Sequence, residues 1–235
     1  MKYFVISDIH GFYDAMIASL NNEGYEAHEK NHHLYVLGDM FDRGDQSKEV
    51  LEYLYNAHKK GMADILLGNH DVFLIEFLEG DYQRAWFNIN HNGTDKTLFS
   101  LSGLVPKKHN LEKIQDVIHK RYPYLLSWLK SLPLYFELGE YIFVHGGIDP
   151  SKGDWKEMSQ DDYVWTREIT CDPIPNRTVV AGHHRVATIR EPGANYRQLF
   201  KTNPSAFDIL YRSGKILIDR FVEISNELNV LVIEA

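Results

Sequence analysis

With 235 residues, 44% of them hydrophobic, and a formal charge of −8, the chain is long enough for a sizeable core and sits near the upper range for one domain. The acidic balance argues against a dedicated nucleic-acid binder, which would present a basic face, but leaves room for a phosphorylated substrate if divalent cations reverse the local field. A single cysteine, Cys171, excludes an intrachain disulfide and fits a reducing compartment, and no apolar stretch approaches the roughly 18 residues of a membrane span.

The first apolar run, Lys2 to Ser7, breaks off into Asp8-Ile9-His10. It reads as a buried strand, and because a polar pair already ends it, no signal peptide is expected and the expected address is the cytoplasm. Asp14 to Leu20 follows with helical spacing, then Leu34 to Leu37 runs into Gly38-Asp39-Met40-Phe41-Asp42-Arg43-Gly44. Ser47 to His58 carries Val50, Leu51 and Leu54 on one helical face, and Asp64 to Leu67 runs into Gly68-Asn69-His70-Asp71. This alternation predicts a βαβαβ unit with largely parallel pairing. Between Val72 and Pro133 strand signals vanish. Val72 to Leu78, Tyr82 to Phe87 and Leu111 to Leu129 read as helices, Asn88 to Thr97 as a polar loop, and residues 72–133 together as a helical insertion walling one side of a cleft. Tyr141 to Val144 then runs into His145-Gly146-Gly147, and Thr178 to Ala181 into Gly182-His183-His184. Lys215 to Asp219 and Asn229 to Ile233 are further strand candidates, with loops at Asp172-Pro173-Ile174-Pro175 and Glu191-Pro192-Gly193. No repeat or linker divides the chain, so residues 1–235 are expected to form a single domain.

Ligands gather outside the carboxyl ends of strands in such sheets, and five strands here deliver Asp, His or Asn to one rim. Asp8 and His10, two apart, can lean toward one cation, although the pair alone is a weak signal. The run Gly38 to Gly44 is far more specific, because two carboxylates and a guanidinium follow a buried strand and the glycines allow close approach. Asn69 adds a neutral oxygen beside His70, which limits the accumulated negative charge of a two-metal site. His145 and His183 each adjoin glycine. Five such sites in order make an accidental arrangement improbable.

At this point the sequence resembles the phosphoprotein phosphatase family of the calcineurin-like metallophosphoesterases, whose Asp-x-His, Gly-Asp-x-x-Asp-Arg-Gly, Gly-Asn-His, His-Gly-Gly and Gly-His motifs stand here in order. Trp86, Asn92-Gly93, Thr97-Leu98, Leu132-Pro133-Leu134 and Val164-Trp165-Thr166-Arg167-Glu168 resemble its bacterial and phage branch. That branch includes small serine/threonine phosphatases and symmetrical diadenosine-tetraphosphate hydrolases. The resemblance implies an α/β fold, the four-layer α-β-β-α sandwich with mixed sheets and a helical insertion. It implies two divalent ions, with manganese expected and iron or zinc as alternatives. Asp8, His10 and Asp39 would hold one ion; Asp39, Asn69, His145 and His183 would hold the other, with Asp39 bridging. A hydroxide shared by the two ions would attack phosphorus directly. Arg43 and Arg167, with Asn69, would bind phosphate oxygens. His70 would protonate the leaving group, with Asp42 fixing its tautomer. Cys171 is not expected to be a nucleophile.

Three positions depart from the pattern. His184 stands where threonine usually follows Gly-His, Asp71 replaces the more usual glutamate, and Ile218-Asp219-Arg220 stands where an Asp-Thr-Gly turn is common. The last touches the back rim of the pocket and so the choice of substrate. The leading expectation is a phosphomonoesterase acting on phosphoserine or phosphothreonine proteins; the alternative is a bis(5′-nucleosyl)-tetraphosphatase using the same dinuclear site. Arg190, Arg197, Lys201 and Arg212 form either a phosphate track favouring the alternative or a solvated basic loop. A two-metal nuclease is disfavoured because Arg185 replaces the last histidine of Gly-His-x-His. An inactive adaptor is disfavoured because His70, Asp42, Arg43 and Arg167 are all present. A monomer without membrane or dedicated nucleic-acid partners is expected. His28, His32, His33, His58, His109 and His119 are assigned to the solvated surface, and Tyr122, Tyr124 and Trp128 to helical core.

Overall fold

The computed structural model describes residues 1–234. Its first half runs β1 (Lys2–Ile6), α1 (Tyr13–Asn22), β2 (His32–Val36), α2 (Ser47–Lys59), β3 (Ala63–Ile65), α3 (Asn69–Leu78), α4 (Tyr82–His91), α5 (Thr94–Ser102), α6 (Leu111–Arg121) and α7 (Leu125–Ser131). The second runs β4 (Tyr135–Leu138), β5 (Tyr141–Val144), α8 (Gln160–Trp165), β6 (Thr178–Ala181), α9 (Val186–Arg190), α10 (Tyr196–Thr202), β7 (Leu210–Arg212), β8 (Lys215–Leu217), α11 (Val222–Ser225) and β9 (Leu231–Glu234).

These strands make two mixed sheets, ordered β3-β2-β1-β9 and β4-β5-β6-β8-β7. The predicted βαβαβ unit is present, with β1 parallel to β2 and β2 parallel to β3, while β9 closes the sheet antiparallel to β1. The strand period of two sorts the side chains into layers. Val5, Tyr35, Phe143, Val180, Ile216, Leu231 and Ile233 point between the sheets and form one buried cluster. Phe4, Ile6, Leu34 and Val36, on the opposite face, pack under α1, α2 and the helices that follow β3. Ile142, Val144, Val179, Ala181 and Leu217 pack outward against Tyr163 of α8 and Val186 of α9. Each fully buried aliphatic or phenyl group contributes roughly 1.5–3 kcal/mol, so the alternation pins the register and with it the strand ends. The result is the expected α-β-β-α layering.

The helical region between β3 and β4 differs from expectation in two places. Asn88 to Thr97 is not a loop: α4 continues to His91 and α5 starts at Thr94, leaving Asn92-Gly93 as the link. Its polarity has another cause, since Asn88, Thr94 and Thr97 are buried and both threonine hydroxyls donate to Asp42. Leu111 to Leu129 is two helices, because Pro123 lacks an N–H and forces its predecessor out of helical conformation. Tyr122 and Trp128 are core, as expected. β7 was not foreseen; it pairs antiparallel with β8 across Ser213-Gly214. Among the six histidines assigned to the surface, His28 and His109 are exposed, whereas the others are half-buried and bonded. His58, for example, accepts the Trp128 indole N–H at 2.8 Å.

Candidate active site

The carboxyl ends of β1, β2, β3, β5 and β6 converge where the two sheets meet. Asp8, His10, Asp39, Asp42, Arg43 and His183 all adopt positive φ, between 47° and 72°. That region favours glycine, and a run of such residues is held only where the surroundings over-determine it. The turns interlock through close backbone contacts. A Cβ on Gly68 would collide with the Asp39 amide and carboxylate, and one on Gly93 (φ 81°) would lie 2.7 Å from the Arg43 nitrogen. Asp71 ties this together from a fully buried position, accepting the amides of Gly68 (2.9 Å), Asp39 (3.0 Å) and Met40 (2.9 Å). Its departure from glutamate therefore serves the Asp39 turn.

Two donor groups result. His10, Asp39 and His70 offer atoms within 4.8 Å of one another, and so do Asp39, His145 and His183. Asp8 adjoins the first, its carboxylate 3.8 Å from His10 Nε2 and accepting the His183 amide at 2.9 Å. His10 and His145 each donate Nδ1–H to a carbonyl, Phe41 at 2.8 Å and Leu37 at 2.7 Å, which leaves Nε2 free to ligate. Burial, then Arg43 and His70, depresses His10 well below the ordinary imidazole range, and burial with His145 pushes His183 down to about 3. Both shifts favour the neutral imidazole, the form that ligates a cation. Burial pushes Asp8 up, with a further rise from Asp39. Burial also works against ionised Asp39, but His145, His70, His10 and Arg43 outweigh it and hold that carboxyl well below its usual value.

The donor chemistry fits metal. Asn69 Oδ1 faces His145 Nε2 at 2.9 Å and His183 Nδ1 at 3.0 Å. An amide oxygen between two ring nitrogens suits a cation held among the three. His183 Nε2 is buried with no hydrogen-bond partner among the described residues. His184 points elsewhere: it lines the cleft beside Arg167, and burial with that arginine pushes it down to about 4.

Beside the donors, His70 Nδ1 donates to Asp42 at 2.8 Å, and Asp42 is fully buried and fixed by Thr94 and Thr97, each at 2.9 Å. Arg43 reaches His70 Nε2 at 2.8 Å, His10 Nε2, and Glu223 at 3.0 Å. Arg167 is exposed on the opposite wall, and Asn92 lines the cleft between α4 and α5, whereas His91 stacks on Phe87 outside it. The whole cleft encloses about 500 Å³.

Several residues here carried no functional expectation: Glu223, Arg185, Thr94 and Glu168. Thr97 stood out as a branch feature without a role. Arg190 is no phosphate binder, because its guanidinium is consumed by the carbonyls of Ser205, Ala206, Asp208 and Ile209. Cys171 lies outside the cleft lining, its thiol pushed up by burial.

Glu168 is buried behind Arg167, accepting the Ile148 amide at 2.8 Å and lying 3.4 Å from Lys215. Burial raises its carboxyl from 4.5 to about 7. Because the folded value exceeds the unfolded one, the stability tied to the protonated form is full below pH 4.5 and is lost as pH rises through 7. Glu168→Gln removes that titration. Urea unfolding should therefore show the variant gaining on the wild type by roughly 2–3 kcal/mol between acid and neutral pH. Parallel stability profiles would rule this out.

Residues 1–218 match the family model for the calcineurin-like phosphoesterases. The asymmetrical bis(5′-nucleosyl)-tetraphosphatase of Bacillus velezensis is 32% identical over 184 residues, 75% of this chain and 68% of that protein. A symmetrical bis(5′-nucleosyl)-tetraphosphatase of Buchnera aphidicola is 31% identical over 152 residues, 64% of this chain and 46% of that protein. Among solved structures, the cold-active protein-tyrosine phosphatase of a psychrophilic Shewanella shares the fold with a TM-score of 0.61 at 18% identity, over 99% of this chain and 75% of that one. With its two sheets, its converging strand ends and its paired Asp/His donor groups, the chain belongs to the calcineurin-like phosphoesterases.

Proposed function

We propose that the protein is a two-metal bis(5′-nucleosyl)-tetraphosphatase, cleaving a phosphoanhydride bond of a dinucleoside polyphosphate. The observation that carries the reading is the cleft. It continues past the donor cluster, carrying Arg167 and Arg185 for phosphate and Trp165, Phe73 and Tyr196 as apolar faces, with Trp165 41% exposed. A pocket of this size and mixture suits a nucleotide better than one phosphoryl group. The curated relatives named above support the same substrate class. Phosphoserine or phosphothreonine hydrolysis, the leading expectation from sequence, becomes the second reading, because it shares the chemistry but leaves the outer cleft unused.

Asp8, His10 and Asp39 would hold one cation; Asp39, Asn69, His145 and His183 the other. Mixed carboxylate, imidazole and amide donors suit Mn²⁺, with Fe²⁺ and Zn²⁺ as competitors. When bound, the ions supply an acidified water and polarise the phosphoryl oxygen. Arg43, Arg167 and the Asn69 amide would orient the phosphate, the guanidinium forks matching its oxygens. His70, its Nδ1–H held by Asp42, would need a second proton on Nε2, which it would pass to the departing oxygen and so return to the Nδ1–H tautomer. Arg43, which reaches His10 Nε2 and His70 Nε2, would be the guanidinium nearest the donor groups. The lone thiol of Cys171 fits a cytoplasmic setting, and no described helix is long and apolar enough to cross a membrane.

The test compares diadenosine tetraphosphate, a phosphothreonine peptide and p-nitrophenyl phosphate with Mn²⁺. The tetraphosphate should lead in kcat/KM by about tenfold or more. A faster phosphopeptide would reverse the order of the two readings.

A further inference from the structure

We propose that Arg185, set on the Phe221 ring and held by Glu223, forms a subsite for a second phosphate adjoining the one attacked. This deepens the nucleotide reading above and rests on it for the natural substrate, although not for its test.

The segment after β6 and the rim before α11 build this subsite together. Arg185 Cζ lies 3.9 Å from the centroid of Phe221, and its Nη2 donates to Glu223 Oε1 at 2.7 Å. The same Glu223 oxygen lies 3.0 Å from Arg43 Nη1, so one carboxylate oxygen separates the two guanidinium groups. Both arginines line the cleft, whereas Glu223 stands behind them, outside the lining. One negative charge thus orients two positive ones toward the cavity, which leaves the pair net cationic. Each fork keeps further N–H donors for an anion.

The rim shows a local cost for this arrangement. Phe221 has φ 60°, a left-handed conformation for a bulky residue. Asp219 stabilises it by accepting the Phe221 amide at 2.8 Å, and the Asp219 carbonyl accepts the Val186 amide at 3.0 Å. That second bond ties Arg185's own segment to the rim. A glycine would adopt this backbone freely, but it would remove the aromatic face on which the guanidinium lies. Tyr196, 5.6 Å from Phe221 and also in the lining, continues the apolar face outward. Arg43 adjoins the donor cluster and Arg185 lies one carboxylate oxygen further out. Two neighbouring phosphates of one chain would match the step between guanidinium groups that share one Glu223 oxygen.

The test reads inhibition of p-nitrophenyl phosphate hydrolysis, in saturating Mn²⁺, by adenosine diphosphate and adenosine monophosphate. The wild type should bind the diphosphate about tenfold or more tightly than the monophosphate, as a charge-assisted bidentate contact predicts. Arg185→Gln should bring that ratio close to one. Phe221→Gly retains the arginine and relaxes the backbone, so it is expected to fold, and it should lower the ratio several-fold. An unchanged ratio in both variants would overturn the subsite. So would a wild-type ratio near one. If the phosphopeptide proves the better substrate but the diphosphate preference still depends on Arg185, the functional reading falls and the subsite stands. If the tetraphosphate is preferred and the ratio ignores Arg185, the function stands and the subsite falls.

Discussion

Replacing His70 by asparagine is expected to lower kcat by about 10²–10⁴-fold while leaving KM and metal content close to the wild type. The ring is 3% exposed and oriented from one side, with Nδ1–H on Asp42 and Nε2 toward the cleft beside Arg43. Asp42 is in turn fixed by two threonine hydroxyls, so the imidazole has a single orientation and tautomer. Asparagine can still donate to Asp42, which preserves the buried carboxylate's partners and limits the structural damage. The same geometry offers a competing role, because His70 lies within 4.8 Å of donor atoms from His10 and Asp39. Metal content separates the two. If His70→Asn loses one ion per chain together with activity, the residue is a ligand and the proton-donor role is wrong.

Asp39→Asn should have the second large effect, on metal-dependent stability as well as rate. Asp39 is the residue common to both donor groups, and its Oδ1 also accepts the His70 amide at 2.8 Å. Binding at 100–1,000 times Kd stabilises a fold by about 2.7–4.1 kcal/mol. In a chain of this length that corresponds to several degrees of Tm. Thermal melts of the wild type with Mn²⁺ and with chelator should differ by that amount. In Asp39→Asn the difference should nearly vanish, and kcat/KM should fall by about 10³-fold or more, as expected when a metal-held transition state is lost. A variant that keeps the full Mn²⁺-dependent increment would exclude a bridging role for Asp39.

The legible parts of this protein share one property: each is a local pattern repeated at a strand end. Val5 and Val36 alternate with residues of the opposite face, and the strand–helix alternation around them predicted the parallel βαβαβ unit. The motifs carrying Asp8, Asp39, Asn69, His145 and His183 follow each strand at once, so the structure brings them to one rim. The errors also have a common physical cause. Asn88 to Thr97 read as a loop because its polarity implied water, but Thr94 and Thr97 bond to a buried carboxylate 52 and 55 positions away and Asn88 accepts the Asn92 amide. His58 read as surface for the same reason, whereas a distant indole satisfies it.

The sequence by itself pointed to the parallel βαβαβ unit and, through motifs that resemble a known family, to phosphoesterase chemistry, because strand periodicity and motif spacing act over a few residues and need no knowledge of distant neighbours. Only the tertiary structure decided what surrounds that set. Asp71 holds the Asp39 turn, Arg190 is spent on carbonyls, and Glu223 joins Arg43, 180 positions before it, to Arg185. Such roles depend on which buried charge finds which partner. Folding settles that by pairing most of the desolvated polar groups, and no local pattern in the chain encodes it.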